Sequence, residues 1–125
     1  MKDSFSLHRR RALVTGANTG IGQAIAEGLA ATGGTATSLP VDFADPMAGW
    51  GLFAEQGFDI LINNAGIIEQ CGSVDSTEAE WDAVMDVNLK ALFFTTQAFG
   101  KECLSKRRPG SVVNIASLLS LQGGI

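Results

Sequence analysis

Residues 15–22 read Thr15-Gly16-Ala17-Asn18-Thr19-Gly20-Ile21-Gly22, set between a short apolar run (Ala12, Leu13, Val14) and an alanine-rich stretch from Gln23 to Ala31. That order of strand, glycine-rich turn and helix decides the fold. Gly16 permits a tight turn out of the strand, Gly20 lets a ligand's phosphates approach the backbone, and Gly22 lets the new helix pack closely on the sheet. Beyond Gly20 the first N–H groups of the helix lack intrahelical partners and stand at the positive end of its dipole. Glycine triplets alone also occur in plain turns. Here the preceding strand and following helix supply the context that a dinucleotide-binding turn requires.

Composition bounds the rest. The chain has 125 residues, enough for one domain that removes about two-thirds of its unfolded surface from water. Hydrophobic residues make up 46% and no segment is charge-rich, so a packed core is expected rather than disorder. A net charge of −4 argues against nucleic acid or an anionic membrane surface as the main partner. The basic runs Arg9–Arg11 and Lys106–Arg108 read as solvated element ends. No apolar stretch reaches about 18 residues, and Met1–Leu7 lacks the apolar core of a signal peptide. The expectation is a cytoplasmic protein with no membrane partner. Cys71 and Cys103 stand in unrelated contexts, a loop and a helical apolar face, and read as incidental thiols. His8 is the single histidine, so a Ser-His-Asp hydrolase has no base and a metal site has too few ligands.

Strand and helix signals alternate, which predicts an α/β fold of the Rossmann type: a doubly wound parallel sheet, incomplete at about four strands. The predicted elements are strand 12–15, helix 20–31, strand 37–42, helix 46–55, strand 59–63, a helix after Ser76, helix 88–106 and strand 111–116. Asp45 and Pro46 suit a helix start, and Thr77 with Glu80 forms a capping-box signal. In the long helix Leu89, Leu92, Phe93, Phe99, Cys103 and Leu104 recur near helical spacing. That stripe reads as core, with a homo-oligomer contact through helix 88–106 as the alternative.

Four segments then fall at the carboxyl ends of predicted strands, where open α/β sheets bind ligands. They are residues 15–22, Asp42-Phe43, Asn63-Asn64-Ala65-Gly66, and Asn114-Ile115-Ala116-Ser117. With Asn88 in Val-Asn-Leu, this set resembles the short-chain dehydrogenase/reductase family along nearly the whole chain. The segments at 63–68 and 114–125 look most like its sugar-acid branch, which includes 2-deoxy-D-gluconate 3-dehydrogenase. The resemblance implies an NAD(P)-dependent oxidoreductase acting on a small secondary alcohol or ketone. It implies cofactor contacts at Thr15, Gly16, Asn18, Thr19, Gly20, Ile21 and Gly22, at Asp42 and Phe43, and at Asn63, Asn64, Ala65 and Gly66. Ser117 would hold the substrate oxygen, Asn88 would open a kinked helix and position a relay water, and Gln122, with Ser120 and Gly123, would border the substrate. From the residues alone, Asn88 and Asp42 read equally well as helix caps, and Ser117 as a turn residue.

Two departures qualify what the resemblance implies. The family's proton-transfer pair, Tyr-x-x-x-Lys, is expected roughly thirteen residues after Ser117, and the sequence contains no tyrosine. A strand and helix normally found after the first helix are also missing, since Ala31-Thr32-Gly33 runs directly into Gly34-Thr35-Ala36-Thr37. The lost strand ordinarily ends in the residue that separates NAD from NADP, so the preference is unreadable here. Right-handed crossover allows 37–42 to fill the vacant place beside the first strand. The chain thus reads as a single partial dinucleotide-binding domain over 1–125, an N-terminal piece or internally shortened form of the enzyme. The alternative is a non-catalytic nucleotide-binding or partner-binding module. A flavodoxin-like regulator fits the alternation but leaves 63–66 and 114–117 unexplained.

Overall fold

The computed structural model describes residues 5–54 and 56–122. Four parallel strands form one sheet in the order β2-β1-β3-β4, with β1 at Arg11–Val14, β2 at Thr35–Thr37, β3 at Ile60–Asn63 and β4 at Ser111–Asn114. Helix α1, Gly20–Ala31, has the bounds read from sequence. The order places the chain's reversal between β1 and β3. That is the switch point at which sheets of this type open a crevice.

Alternation along the two central strands assigns the helices to opposite faces. On one face Leu13 and Leu61 join Phe53, Phe58, Ala98, Phe99 and Cys103 in a buried cluster. Its rings pack tilted or edge-on, Phe53 to Phe58 at 6.1 Å and Phe53 to Phe99 at 5.5 Å between centroids. On the other face Val14 and Ile62 pack with Ala17, Ile25, Ala26 and Leu29 of the turn and α1. Burying a side chain of this size contributes roughly 1.5–3 kcal/mol. The two clusters therefore fix β1 and β3 more firmly than any surface contact does.

Several expected boundaries shift. The second strand is Thr35–Thr37 rather than 37–42, because the tight turn at Gly33-Gly34 delivers the chain early and the Thr35 N–H already donates to the Arg10 carbonyl at 2.9 Å. It does occupy the place beside β1. No α-helix spans the described part of 46–55; Ala48–Gly51 forms one 3-10 turn. Asp45 does not cap it: the turn begins after Met47 with no side-chain cap, and the Asp45 carboxylate accepts from the Met47 N–H at 2.9 Å just ahead of it. Gly49 and Gly51 each disfavour an α-helix by about 1 kcal/mol, and the turn packs against the long helix at Gly49, where a Cβ would sit 2.2 Å from Thr95 Oγ1.

The long helix does not begin at Asn88. Helix α2, Glu78–Met85, runs through a π turn at Asp86–Ala91 into α3, Leu92–Ser105. Asn88 is thus inside a continuous helical run and caps nothing. The apolar stripe is only partly core: Phe99 and Cys103 are buried, while Leu89, Phe93 and Leu104 are exposed. Strand β4 pairs with β3, yet Val112 and Val113 remain 40% and 46% exposed, so the sheet is uncovered at this edge.

The basic runs do more than end elements. Arg10 and Arg108 approach Asp59 Oδ1 at 3.6 and 3.7 Å, and the Arg11 guanidinium lies 5.1 Å over the Phe58 ring. They gather at the amino end of β3. Among the described residues no helix is long and apolar enough to cross a membrane.

Helix α2 is closed by its own residues. The Thr77 hydroxyl accepts from the Glu80 N–H and the Glu80 carboxylate accepts from the Thr77 N–H at 2.7 Å. The bond to the Thr77 backbone, then the one to its hydroxyl, holds the Glu80 carboxyl below its ordinary pKa. A lowered folded pKa means that this contribution is present above the unfolded value and is lost as pH falls through the folded one. Thr77→Ala is expected to cost about 1 kcal/mol at neutral pH, measured by urea denaturation, and the difference from wild type should shrink as Glu80 protonates.

Candidate functional site

The site is built from one hydroxyl outward. Thr15, buried at the end of β1, donates to the Ile62 carbonyl at 3.4 Å and accepts from the Asn64 N–H at 2.9 Å and the Ala65 N–H at 3.0 Å. These bonds use its donor and both acceptor sites. The Asn64 side-chain amide donates in return to the carbonyls of Thr15 and Gly16 at 3.0 and 3.2 Å. The glycine turn and the Asn-Asn-Ala-Gly segment are therefore one polar unit, tied across the switch point between β1 and β3.

The glycines fit that unit for different reasons. Gly20 has φ of +57° and open space where a Cβ would stand, so its backbone conformation alone calls for glycine. A Cβ at Gly22 would lie 2.3 Å from the Gly16 carbonyl oxygen and 2.4 Å from Asn64 Nδ2. Close packing excludes any side chain there. Beyond the turn, Thr19 caps α1 with no side-chain bond and no acid occupies its first turn. Helix α1 thus presents unpaired N–H groups and a positive dipole end to the cleft, in contrast to the closed end of α2.

A cleft of about 500 Å³ opens over this end. From the turn it is lined by Gly16, Asn18, Thr19, Gly20, Ile21 and Gly22; from the segment after β2 by Val41, Asp42, Phe43 and Ala44; and from the β3 side by Asn64, Ala65, Gly66, Ile67 and Val87. Eleven of these positions coincide with residues expected to meet a cofactor. Thr15 and Asn63 do not line it. Asn63 is buried and its amide donates to Thr96 Oγ1 at 2.9 Å and Asn114 Oδ1 at 2.8 Å, which ties β3 to α3 and β4. Val41, Ala44, Ile67 and Val87 were missed by the sequence reading, although each adjoins a motif residue.

Asn88 acts as a clamp. Its Oδ1 accepts from the Ile67 N–H and its Nδ2 donates to the Ile67 carbonyl, both at 2.8 Å, so the π turn grips the loop that leaves β3. Single π turns inside helices often mark functional positions. Asp42 is no helix cap; its carboxylate accepts from the Ala44 N–H at 2.9 Å in a local turn. Ser117 follows β4 at the same end of the sheet but does not border the cleft. Its hydroxyl accepts from the Leu119 N–H at 3.2 Å and starts the short helix α4, Leu119–Gln122. Ser120 and Gln122 are exposed, and Gly123 lies outside the described residues. Cys71 is exposed and Cys103 buried in the core.

Known proteins share this fold. Residues 52–125 match the short chain dehydrogenase family. A 2-dehydro-3-deoxy-D-gluconate 5-dehydrogenase of Bacillus subtilis is 42% identical, with all of this chain and 59% of the relative aligned. A candidate 2-deoxy-D-gluconate 3-dehydrogenase of Agrobacterium tumefaciens, solved with bound NADP, superposes with a TM-score of 0.95 at 57% identity, over 99% of this chain and 59% of that one. A candidate NAD(P)-dependent gluconate 5-dehydrogenase of Beutenbergia cavernae gives 0.88 at 35% identity, over 96% and 59%.

The chain belongs to the short-chain dehydrogenase family and has its Rossmann-type α/β fold. Within it, the similarity runs to the sugar-acid dehydrogenases named above. The chain spans 59% of the length of these relatives. The Bacillus alignment takes 152 positions for the 125 residues here, so about 27 residues of that relative have no counterpart.

Gly22→Ala is expected to displace the turn and destabilise the chain by about 3 kcal/mol. Gly20→Ala, strained only in φ, should cost about 1–2 kcal/mol. Urea denaturation of the two variants should rank them in that order.

Proposed function

We propose that this chain is the dinucleotide-binding part of an NAD(P)-dependent oxidoreductase acting on a secondary alcohol or the matching ketone of a sugar acid. The open N-terminus of α1 at the base of the cleft supports this most directly. Its free N–H groups and dipole suit a pyrophosphate, with Gly20 leaving room for close approach. Asp42 and Phe43 would face the adenine, and Ala65 and Gly66 the adenosine ribose. When bound, the nicotinamide would supply hydride transfer to or from the carbinol carbon. Ser117 would hold the substrate oxygen, using its donor and acceptor capacity, while Asn88 positions the loop after β3 and a relay water. Gln122 would border the substrate. The work would be done in the cytoplasm.

Proton transfer in such a reaction calls for a group tuned toward neutral pH. The 125 residues hold no tyrosine. Cys103 is shut in the core and Cys71 lies in an exposed loop, so neither replaces one. This stretch is therefore proposed to bind the cofactor without turning substrate over.

A second reading, a non-catalytic nucleotide-binding or partner-binding module, is supported by the exposed apolar groups on β4 and along the helical run, among them Val113, Leu89 and Phe93. Helix 88–106 would be the contact between copies.

Calorimetric titration with NAD+ and NADP+ should show saturable binding of at least one, below about 1 mM. Failure of both would remove the oxidoreductase reading. Incubation with a sugar-acid substrate and either cofactor should yield no reduced nicotinamide, and its formation would contradict binding without turnover.

A further inference from the structure

The two edges of the sheet differ. At one edge β2 is three residues long and runs into Ser38-Leu39-Pro40, where proline offers no N–H. Short length and proline both protect an open edge from pairing with another chain. At the other edge β4 stays on the ladder from Ser111 through Ile115. From Ser111 to Gln122 the chain holds no charged residue and no proline.

The hydrogen bonds of β4 show which of its backbone groups are turned outward. The Ser111 N–H donates to the Asp59 carbonyl at 3.0 Å, and the Ile115 N–H donates to the Asn63 carbonyl at 2.9 Å. Alternate residues of a parallel strand face the same neighbour, so Ser111, Val113 and Ile115 turn their backbone groups to β3. The N–H and C=O groups of Val112 and Asn114 therefore point away from it. Among the described residues no strand lies on that side. Both faces of this edge are apolar as well. Val112 shares the face of Leu61 and Val113 the face of Ile62, and both valines remain exposed.

We infer that the β4 edge is an interface whose partner is the same edge of a second copy, joined antiparallel about a two-fold axis between the two Val113 residues. That register is self-complementary. It sets Val112 of each copy opposite Asn114 of the other, forms about four backbone hydrogen bonds, and leaves the two Val113 side chains as a close, non-hydrogen-bonded pair. The four-stranded sheets of the two copies become one continuous sheet. Its outer edges are the protected β2 strands, so the assembly closes at two copies. No charge on either β4 opposes the approach. Residues 111–116 do not line the cofactor cleft, and the interface stands independently of the dinucleotide reading.

The test is sedimentation equilibrium of the full chain, with amide exchange followed residue by residue by NMR. The mass should rise from 13.1 kDa toward twice that value between about 1 and 100 μM. Over the same range exchange at the Val112 and Asn114 N–H groups should slow by about tenfold or more, while Val113 and Ile115, already bonded to β3, change little. Val113→Lys and Val113→Glu each place like charges directly opposite one another and should weaken association by about tenfold or more. Mixed in equal amounts, the two variants should recover it. Phe93→Lys, on the exposed side of helix 88–106, should associate as wild type does. A monomer throughout the range, growth past the dimer, or association without added protection at Val112 and Asn114 overturns the inference. Loss of the dimer in Phe93→Lys with both Val113 variants unaffected overturns it in favour of the helix. No recovery in the mixture overturns the register.

Discussion

The site depends on the Thr15 hydroxyl. It accepts from two consecutive backbone N–H groups, Asn64 and Ala65, at the point where β3 ends and the chain must leave the sheet. Without it, those donors would stand part-buried and unpaired, at a cost of about 1–3 kcal/mol each. Asn64 answers by donating to the Thr15 and Gly16 carbonyls. The glycine turn is thereby held from its neighbour strand, and the N-terminus of α1 is aimed into the cleft.

Polar groups in this small fold are divided between the two ends of the sheet. At the amino end, Arg10 and Arg108 flank Asp59. At the carboxyl end, α1 begins with no side-chain cap and no acid. The contrast with α2, which closes itself through Thr77 and Glu80, shows that an open helix start is not general in the chain. It is found where the ligand is proposed to bind.

Elements with strong local signals were legible in the sequence. Helix α1 follows from the glycine turn and its alanine-rich body. Strands β1 and β3 follow from short apolar runs that turn out to be covered on both faces. The π turn was not legible, because Asp86–Ala91 has ordinary helical composition and its widening shows only in the clamp between Asn88 and Ile67. The second strand slid from 37–42 to Thr35–Thr37 because a backbone turn at Gly33-Gly34 sets its register, not its own β-branched residues. Periodicity found the stripe on α3 but could not say which of its members would be covered: Phe99 meets Phe53, whereas Phe93 meets only its neighbour Phe94 among the ring pairs of the described residues. For the site, eleven expected cofactor positions do line the cleft. Thr15 and Asn63 instead act from beneath it, a role that motif spacing does not distinguish from direct contact.

The most direct test compares NAD+ affinity in wild type, Thr15→Ser and Thr15→Val. Serine keeps the hydroxyl and valine keeps the shape, so the pair separates hydrogen bonding from packing. Affinity is expected to stay within about threefold of wild type for serine and to fall about tenfold or more for valine, because pairing the two N–H groups holds the turn. Wild-type affinity in the valine variant would contradict it.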